Sequence, residues 1–186
     1  MPNLFEWNVF YYSKRDSLSR QEVCNEIWRR YHKRLFYFIQ SAVGGNAEDL
    51  LQEIMLKVFK NMEKYNPFYS FNTWIYTIAR NHCINHMSKR RLETRNIRDA
   101  DATDSRFSHE ETPEKKLIEK EVYQKIDDTL EQLKPDYRQM AFLHFYEGMK
   151  TKEIAKIMAV PTGTIKSRLY LIRRTLKKTL EAYNAY

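Results

Sequence analysis

The stretch LKPDYRQMAFLHFYEGMKTKEIAKIMAVPTGTIKSRLYLIRRTL, residues 133–176, decides the fold. Pro135 breaks one helix and starts another at Asp136, which ends at Gly148. Thr151 can cap a short helix carrying Ile154, Ala155 and Met158. A tight Ala159-Val160-Pro161 turn then leads to a last helix that turns Ile165, Leu169, Ile172, Leu176 and Leu180 inward. Short helix, brief turn and longer basic helix make a helix-turn-helix. From Pro161 to Lys178 the chain carries Lys166, Arg168, Arg173, Arg174, Lys177 and Lys178 and no acidic residue. Lys166, with Ser167 and Tyr170 nearby, lies in the first turns, where a recognition helix meets base edges. Arg173, Arg174, Lys177 and Lys178 are better placed for phosphates. The competing readings are a solvated basic face and, for Arg168, an internal pair with Glu153.

Working outward, the helical period continues upstream through Ile118, Val122, Ile126, Leu130 and Leu133. Before Pro113 it is lost: LETRNIRDADATDSRFSHEET, residues 92–112, is polar and acid-rich, the composition of a flexible linker. Further upstream the period predicts three helices. One starts at Ser19 and carries Val23, Ile27, Trp28, Tyr31, Leu35, Phe38, Ile39 and Ala42, ending at Gly44-Gly45-Asn46. The second covers Ala47 to Glu63, with Leu51, Ile54, Met55, Val58 and Phe59 on its stripe. The third is capped by Ser70 or Asn72, turns Trp74, Ile75, Ile78 and Ala79 inward, and reaches Arg91. Residues 1–16 crowd Phe5, Trp7, Phe10, Tyr11 and Tyr12 with no clear period. The expected architecture is all-α: an extension over 1–18, a helical domain over 19–91, a flexible acidic linker over 92–113, and a helix-turn-helix domain over 114–186.

Charge follows the same division. The net +8 on 186 residues separates into +6 over residues 1–91, −3 over 92–121 and +5 over 122–186, two basic lobes on an acidic tether. Such lobes suit a polyanion partner. The longest apolar run, Leu35 to Ile39, is far short of the roughly 18–20 residues of a membrane-spanning helix, so no membrane insertion is expected. No signal sequence opens the chain, and two cysteines make no disulfide framework; both point to a reducing cytoplasm.

A second constellation is aromatic. Tyr65, Phe68, Tyr69, Phe71, Trp74 and Tyr76 fall within twelve residues, followed on the helix by Arg80, Asn81, Asn85 and the Lys89-Arg90-Arg91 cluster. Rings that stack on unpaired bases, beside cations for the backbone, are what single-stranded DNA requires. A plain hydrophobic core is the other reading, and the stronger one for Phe71 and Trp74. Tyr65 and Tyr69, in the polar loop, are expected to face outward. Catalytic arrangements are missing: none of the four glycines belongs to a phosphate loop. Glu48, Asp49 and Glu53 cluster without a metal motif. His82, Cys83 and His86 have helical metal spacing but adjoin a cationic cluster. No cofactor, metal site or enzymatic activity is expected.

With these features in hand, the chain resembles a bacterial RNA polymerase sigma factor of the sigma-70 family, extracytoplasmic-function group. AEDLLQEIMLKVFKNMEKYN and FNTWIYTIARNHCINHMSKRR, between Ala47 and Arg91, are similar to region 2, the promoter-melting domain. Residues 133–176 are similar to region 4, which binds the minus-thirty-five element. The resemblance implies that Asp49, Gln52 and Glu53 dock on the clamp helices of core RNA polymerase, whose flap is the second contact. It places Tyr65, Tyr69, Phe71, Asn72, Trp74, Arg80, Asn81 and Asn85 at the minus-ten DNA, the loop Lys64 to Asn72 capturing a flipped base. Thr164, Lys166, Ser167, Arg168, Tyr170, Arg173 and Arg174 fall at the minus-thirty-five DNA. Promoter DNA, double- and single-stranded, and an anti-sigma factor are the further partners implied. Leu171 stands where many relatives carry an arginine, Asn85 where many carry an aspartate, and the aromatic N-terminal stretch has no counterpart. An autonomous helix-turn-helix regulator is the alternative from the second block alone; a nuclease built on Glu48, Asp49 and Glu53 is a weaker one.

Overall fold

The computed structural model describes residues 3–12, 14, 17–43, 45–94 and 116–183. Among them every regular element is helical. Helix α1 is Leu4–Tyr12, α2 Ser17–Val43, α3 Ala47–Asn61 and α4 Phe71–Thr94. These form the N-terminal lobe, with a 3-10 turn at Met62–Lys64 between α3 and α4. The C-terminal lobe is α5 Lys116–Glu131, α6 Pro135–Ala141, α7 Thr151–Met158 and α8 Thr162–Tyr183, with a π-turn at Phe142–Tyr146 closing α6. No described helix is long and apolar enough to cross a membrane.

The apolar periods became the core. Ile27, Leu35, Phe38 and Ile39 of α2, Ile54 and Val58 of α3, and Ile75 and Ala79 of α4 are all fully enclosed, and each large side chain so buried contributes roughly 1.5–3 kcal/mol. Trp28, assigned to that stripe, is instead 40% exposed and stacks on His32. Helix α3 starts after Asn46, whose positive φ of 64° turns the chain sharply, and Glu48 and Asp49 sit in its first turn, where the helix dipole favours carboxylates. Ser70 rather than Asn72 caps α4: the Thr73 N–H points at Ser70 Oγ, 3.5 Å away. The N-terminal stretch without visible period is a helix, because Asn3 and Glu6 exchange backbone-to-side-chain hydrogen bonds of 3.0 and 2.9 Å around its first turn. Helix α4 outlasts its expected end by a turn, and residues 95–113 of the expected linker lie outside the described residues.

The C-terminal lobe follows its sequence closely, with two local corrections. Lys150 holds the cap position of α7, and the Glu153 carboxylate reaches back to accept the Lys150 N–H at 3.1 Å. Helix α6 ends in a π-turn, where the Glu147 N–H reaches back to the Phe142 carbonyl at 3.1 Å. Such turns recur at positions with specific work to do. Here it sets Glu147 against Arg34 of α2.

The two lobes share one continuous core. Helix α6 packs on α2, and α7 packs on α4. Phe142 meets Phe38 and Tyr76, with ring centroids 6.0 and 6.4 Å apart. Polar groups cross the same seam. Arg34 pairs with Glu147, whose side chain is only 3% exposed. The Arg138 Nε–H donates to the Ser41 carbonyl at 2.8 Å; burial pulls the Arg138 guanidinium below its ordinary range.

Candidate nucleic-acid interface

Helix α8 takes its direction from the turn before it. Ala159 adopts φ 53°, closing α7 with its N–H on the Lys156 carbonyl at 3.3 Å. Helix α8 then leaves with Ile165, Leu169 and Ile172 against the lobe core. Because those three occupy one face, Lys166, Ser167, Tyr170, Arg173 and Arg174 are all exposed on the other, with Tyr170 65% open. Thr164 and Arg168 are half-buried. Arg168 lies over the Tyr137 ring, 5.4 Å from its centroid, while Glu153 is engaged in its own helix cap; the pair weighed between them does not form. Arg173 is steered by His144, 2.7 Å from its Nη2, and by the Phe145 ring at 5.7 Å. Leu171 is 47% exposed beside this cationic face.

The aromatic loop divides into a buried and an open set. Tyr65 is 2% exposed, correcting the expectation that it faces outward. Its hydroxyl donates to the Tyr69 carbonyl at 2.6 Å, and burial, with Glu6 next, pushes it well above the tyrosine range. Phe71 is also enclosed, wedged edge-on between Tyr65 and Phe5 with centroids 5.0 and 5.3 Å away. Trp74 is half-buried against Tyr65 and Phe71. Asn72 accepts from the Tyr31 hydroxyl at 2.5 Å. This buried floor lifts the tip: Phe68 is 76% and Tyr69 62% exposed. The tip has a fixed shape, since the Asn66 side chain accepts the Phe68 N–H at 3.0 Å and its carbonyl the Tyr69 N–H at 3.1 Å.

Along α4, Asn81 and Asn85 are exposed on one face with Ile84 between them. Arg80 is placed otherwise. It is 7% exposed and spans the lobe seam, donating to Gln139 Oε1 at 2.6 Å and Asp136 Oδ1 at 3.1 Å. Its sequence neighbours offered no sign of this, because its partners lie more than fifty residues away.

On α3, Asp49, Gln52 and Glu53 form one exposed face, as their spacing requires. That face includes Leu56, 57% exposed, which the apolar-stripe reading passed over. Its one-turn offset from Gln52 and Glu53 is the signal that could have found it. The three acids of α3 do not converge on an ion: Glu53 Oε2 is 2.6 Å from His82 Nε2, and Lys57 Nζ lies 2.8 Å from His82 Nδ1. Cys83 points the other way, into the core, where burial pushes its thiol up to about 12. The described residues contain no group of three or more His, Cys, Asp or Glu side chains able to hold a metal.

The geometry is therefore an exposed basic helix on one lobe, and on the other an aromatic loop tip, an amide-bearing helix face and an acidic-apolar helix face. Comparison with known families gives these surfaces a lineage. Residues 16–93 match Sigma-70 region 2, and residues 123–176 match Sigma-70, region 4. The RNA polymerase sigma-H factor of Pseudomonas aeruginosa is 30% identical over 144 residues, covering 73% of each chain. The chain belongs to the sigma-70 family of RNA polymerase sigma factors, in its extracytoplasmic-function group. The ECF RNA polymerase sigma-E factors of Haemophilus influenzae and Escherichia coli K12 are 27% and 26% identical, over 84% and 87% of this chain and 87% and 88% of their own. The sigma fold recurs in RpoE from Bartonella quintana, solved in complex with the anti-sigma factor NepR, with TM-score 0.71, 23% identity, and coverage of 84% of this chain and 96% of that one. It recurs also in CnrH, solved in complex with the cytosolic domain of CnrY, with TM-score 0.64, 14% identity, and coverage of 97% and 99%.

Proposed function

We propose that this sigma factor brings core RNA polymerase to promoters and opens the DNA there, working in the cytoplasm and catalysing no step itself. The Asp49, Gln52, Glu53 face, with Leu56, docks on the clamp helices of the polymerase. Lys166, Ser167 and Tyr170 read the minus-thirty-five duplex, and Arg173 and Arg174 grip its phosphates. Phe68 and Tyr69 at the loop tip hold melted bases of the minus-ten element, and Asn81 and Asn85 face the same strand. Each ring–base stack is worth roughly 1–3 kcal/mol, so a few stacks offset the cost of unpairing a short stretch. Tyr65, Phe71, Asn72 and Trp74 support that tip from beneath. Residues 19–91 and 114–186 are the working domains in this reading, joined by 92–113.

The observation that carries the reading is the loop tip. An autonomous helix-turn-helix regulator has use for α8, but none for exposed rings raised on a buried aromatic floor beside an acidic docking face. The test is transcription by reconstituted holoenzyme across a genomic template library, alongside pull-down with core polymerase. Initiation at a defined set of promoters is the expected result; failure to bind core polymerase overturns the proposal. An anti-sigma factor is the remaining proposed partner, on the precedent of RpoE with NepR.

A further inference from the structure

Helix α1 lies outside both family matches, since the region 2 match starts at residue 16, yet it is built into the loop. Glu6 carries the joint. One of its carboxylate oxygens closes the first turn of α1, and the other, Oε1, accepts the Phe71 N–H at 2.9 Å. That N–H is one of the unpaired donors at the start of α4. Phe5 completes the seat, stacked on Tyr31 at 6.2 Å and edge-on to Phe71. So α1 has a fixed position relative to the loop tip.

From that seat it presents open aromatic surface. Trp7 meets Phe68 edge to face with centroids 6.2 Å apart, and Phe10 meets Trp7 at 6.0 Å. An edge-to-face pair covers only one face of one ring, and Trp7 is 43% exposed, Phe68 76%. These residues wall a pocket of about 330 Å³, at the small end of the roughly 300–1,000 Å³ range of ligand sites. Its lining includes Lys14 and Lys64, both exposed. Lys14 Nζ stands 4.3 Å from the Phe10 ring centre. Asn66, its side-chain oxygen taken by the Phe68 N–H, keeps an NH2 to donate. The lining carboxylate, Glu63, is paired with Arg20 at 2.5 Å and does not repel an anion unopposed. Rings to stack, cations for a phosphate and an amide to meet a base edge complement one unpaired nucleotide. An apolar helix of a protein partner has no use for two lysines in the lining.

We infer that α1 supplies a wall of a pocket for one unstacked base of single-stranded DNA, with Trp7 and Phe68 on the base and Lys14 on the neighbouring phosphate. This rests on the reading that the loop meets melted DNA, and assigns the N-terminal helix a part in it. The experiment uses holoenzyme made from the full chain and core polymerase. Its probe is a pool of fluorescent bubble duplexes with about twelve randomised unpaired nucleotides in the non-template strand, within the site sizes of single-strand binders. Trp7→Ala is expected to weaken bubble binding about five- to a hundred-fold, the range one base stack supplies, and to flatten base preference at one position. Trp7→Phe should retain most of the affinity. Lys14→Ala should lower the salt slope by about 0.7, the single-strand value for one phosphate contact. Circular dichroism checks that the variants fold. If Phe68→Ala loses affinity and Trp7→Ala does not, α1 has no part and the loop reading survives. If neither loses affinity, the loop reading falls as well. If Trp7→Ala impairs assembly with core polymerase but not bubble affinity of the assembled enzyme, α1 is a protein contact and the inference is overturned.

Discussion

The two surfaces proposed to face DNA are made by opposite routes. The surface on α8 is a single helix whose inward residues, Ile165, Leu169 and Ile172, recur at the helical period, so every outward residue is placed by its number alone. The surface at the loop tip is assembled from α1, the turn after α3 and the start of α4, and two of its rings, Tyr65 and Phe71, are consumed in building it. One surface displays its chemistry on a scaffold made elsewhere; the other spends half its chemistry on being a scaffold. In the first, substitutions separate binding from folding cleanly. In the second they do not.

The largest test of this contrast is Phe71→Ala. Removing a fully enclosed ring from the loop floor is expected to cost about 3–5 kcal/mol, read as a lowered midpoint in urea, whereas Tyr170→Ala on α8 should leave that midpoint within about 0.5 kcal/mol. Equal losses from both would erase the distinction. Next comes Arg80→Ala, which leaves Gln139 and Asp136 without their donor and should cost about 1–3 kcal/mol of stability. Promoter binding by the folded fraction should keep its salt dependence; a slope smaller by about 0.9 would return Arg80 to the phosphates. Lys166→Ala should lower promoter affinity by about 1–3 kcal/mol and relax preference at one or two base pairs, while Arg174→Ala lowers affinity on all sequences alike. Competition binding at several salt concentrations separates the two. The smallest effect is Ala159→Gly. At φ 53° a glycine avoids the Cβ penalty of the left-handed region, and the protein should gain about 0.5–1 kcal/mol.

The same contrast explains what was legible in the sequence. Periodicity found the cores of α2, α3 and α4 and the whole C-terminal motif, because helix faces depend on neighbours three and four residues away. It failed where a side chain answers to a distant partner. Tyr65 in a polar loop gave no sign of burial, since its lid comes from α1 and its floor from α4. Arg80, the first cation after the aromatic cluster in the sequence, belongs instead to a seam with α6. Helix α1 was invisible because aromatic residues cover it on several sides, and its caps, Asn3 and Glu6, are recognised only once the helix is assumed. Leu56 was missed for the converse reason: an apolar residue on an outward face contradicts the pattern used to find it. Of the proposed interface, the α8 positions could be read one by one, whereas the loop could be read only as a composition.

The seam between the lobes has a consequence for how the molecule melts. A tethered pair of domains unfolds in two transitions, each indifferent to the other. With Phe142 lodged against Phe38 and Tyr76, and with Arg34, Arg80 and Arg138 bonded across the join, neither lobe keeps its packing once the other is lost. The isolated chain is then a single cooperative unit. Amide protons in α4 and α6, far apart in sequence, should exchange through one shared opening, and a cavity cut in either lobe should be felt as lost protection in both.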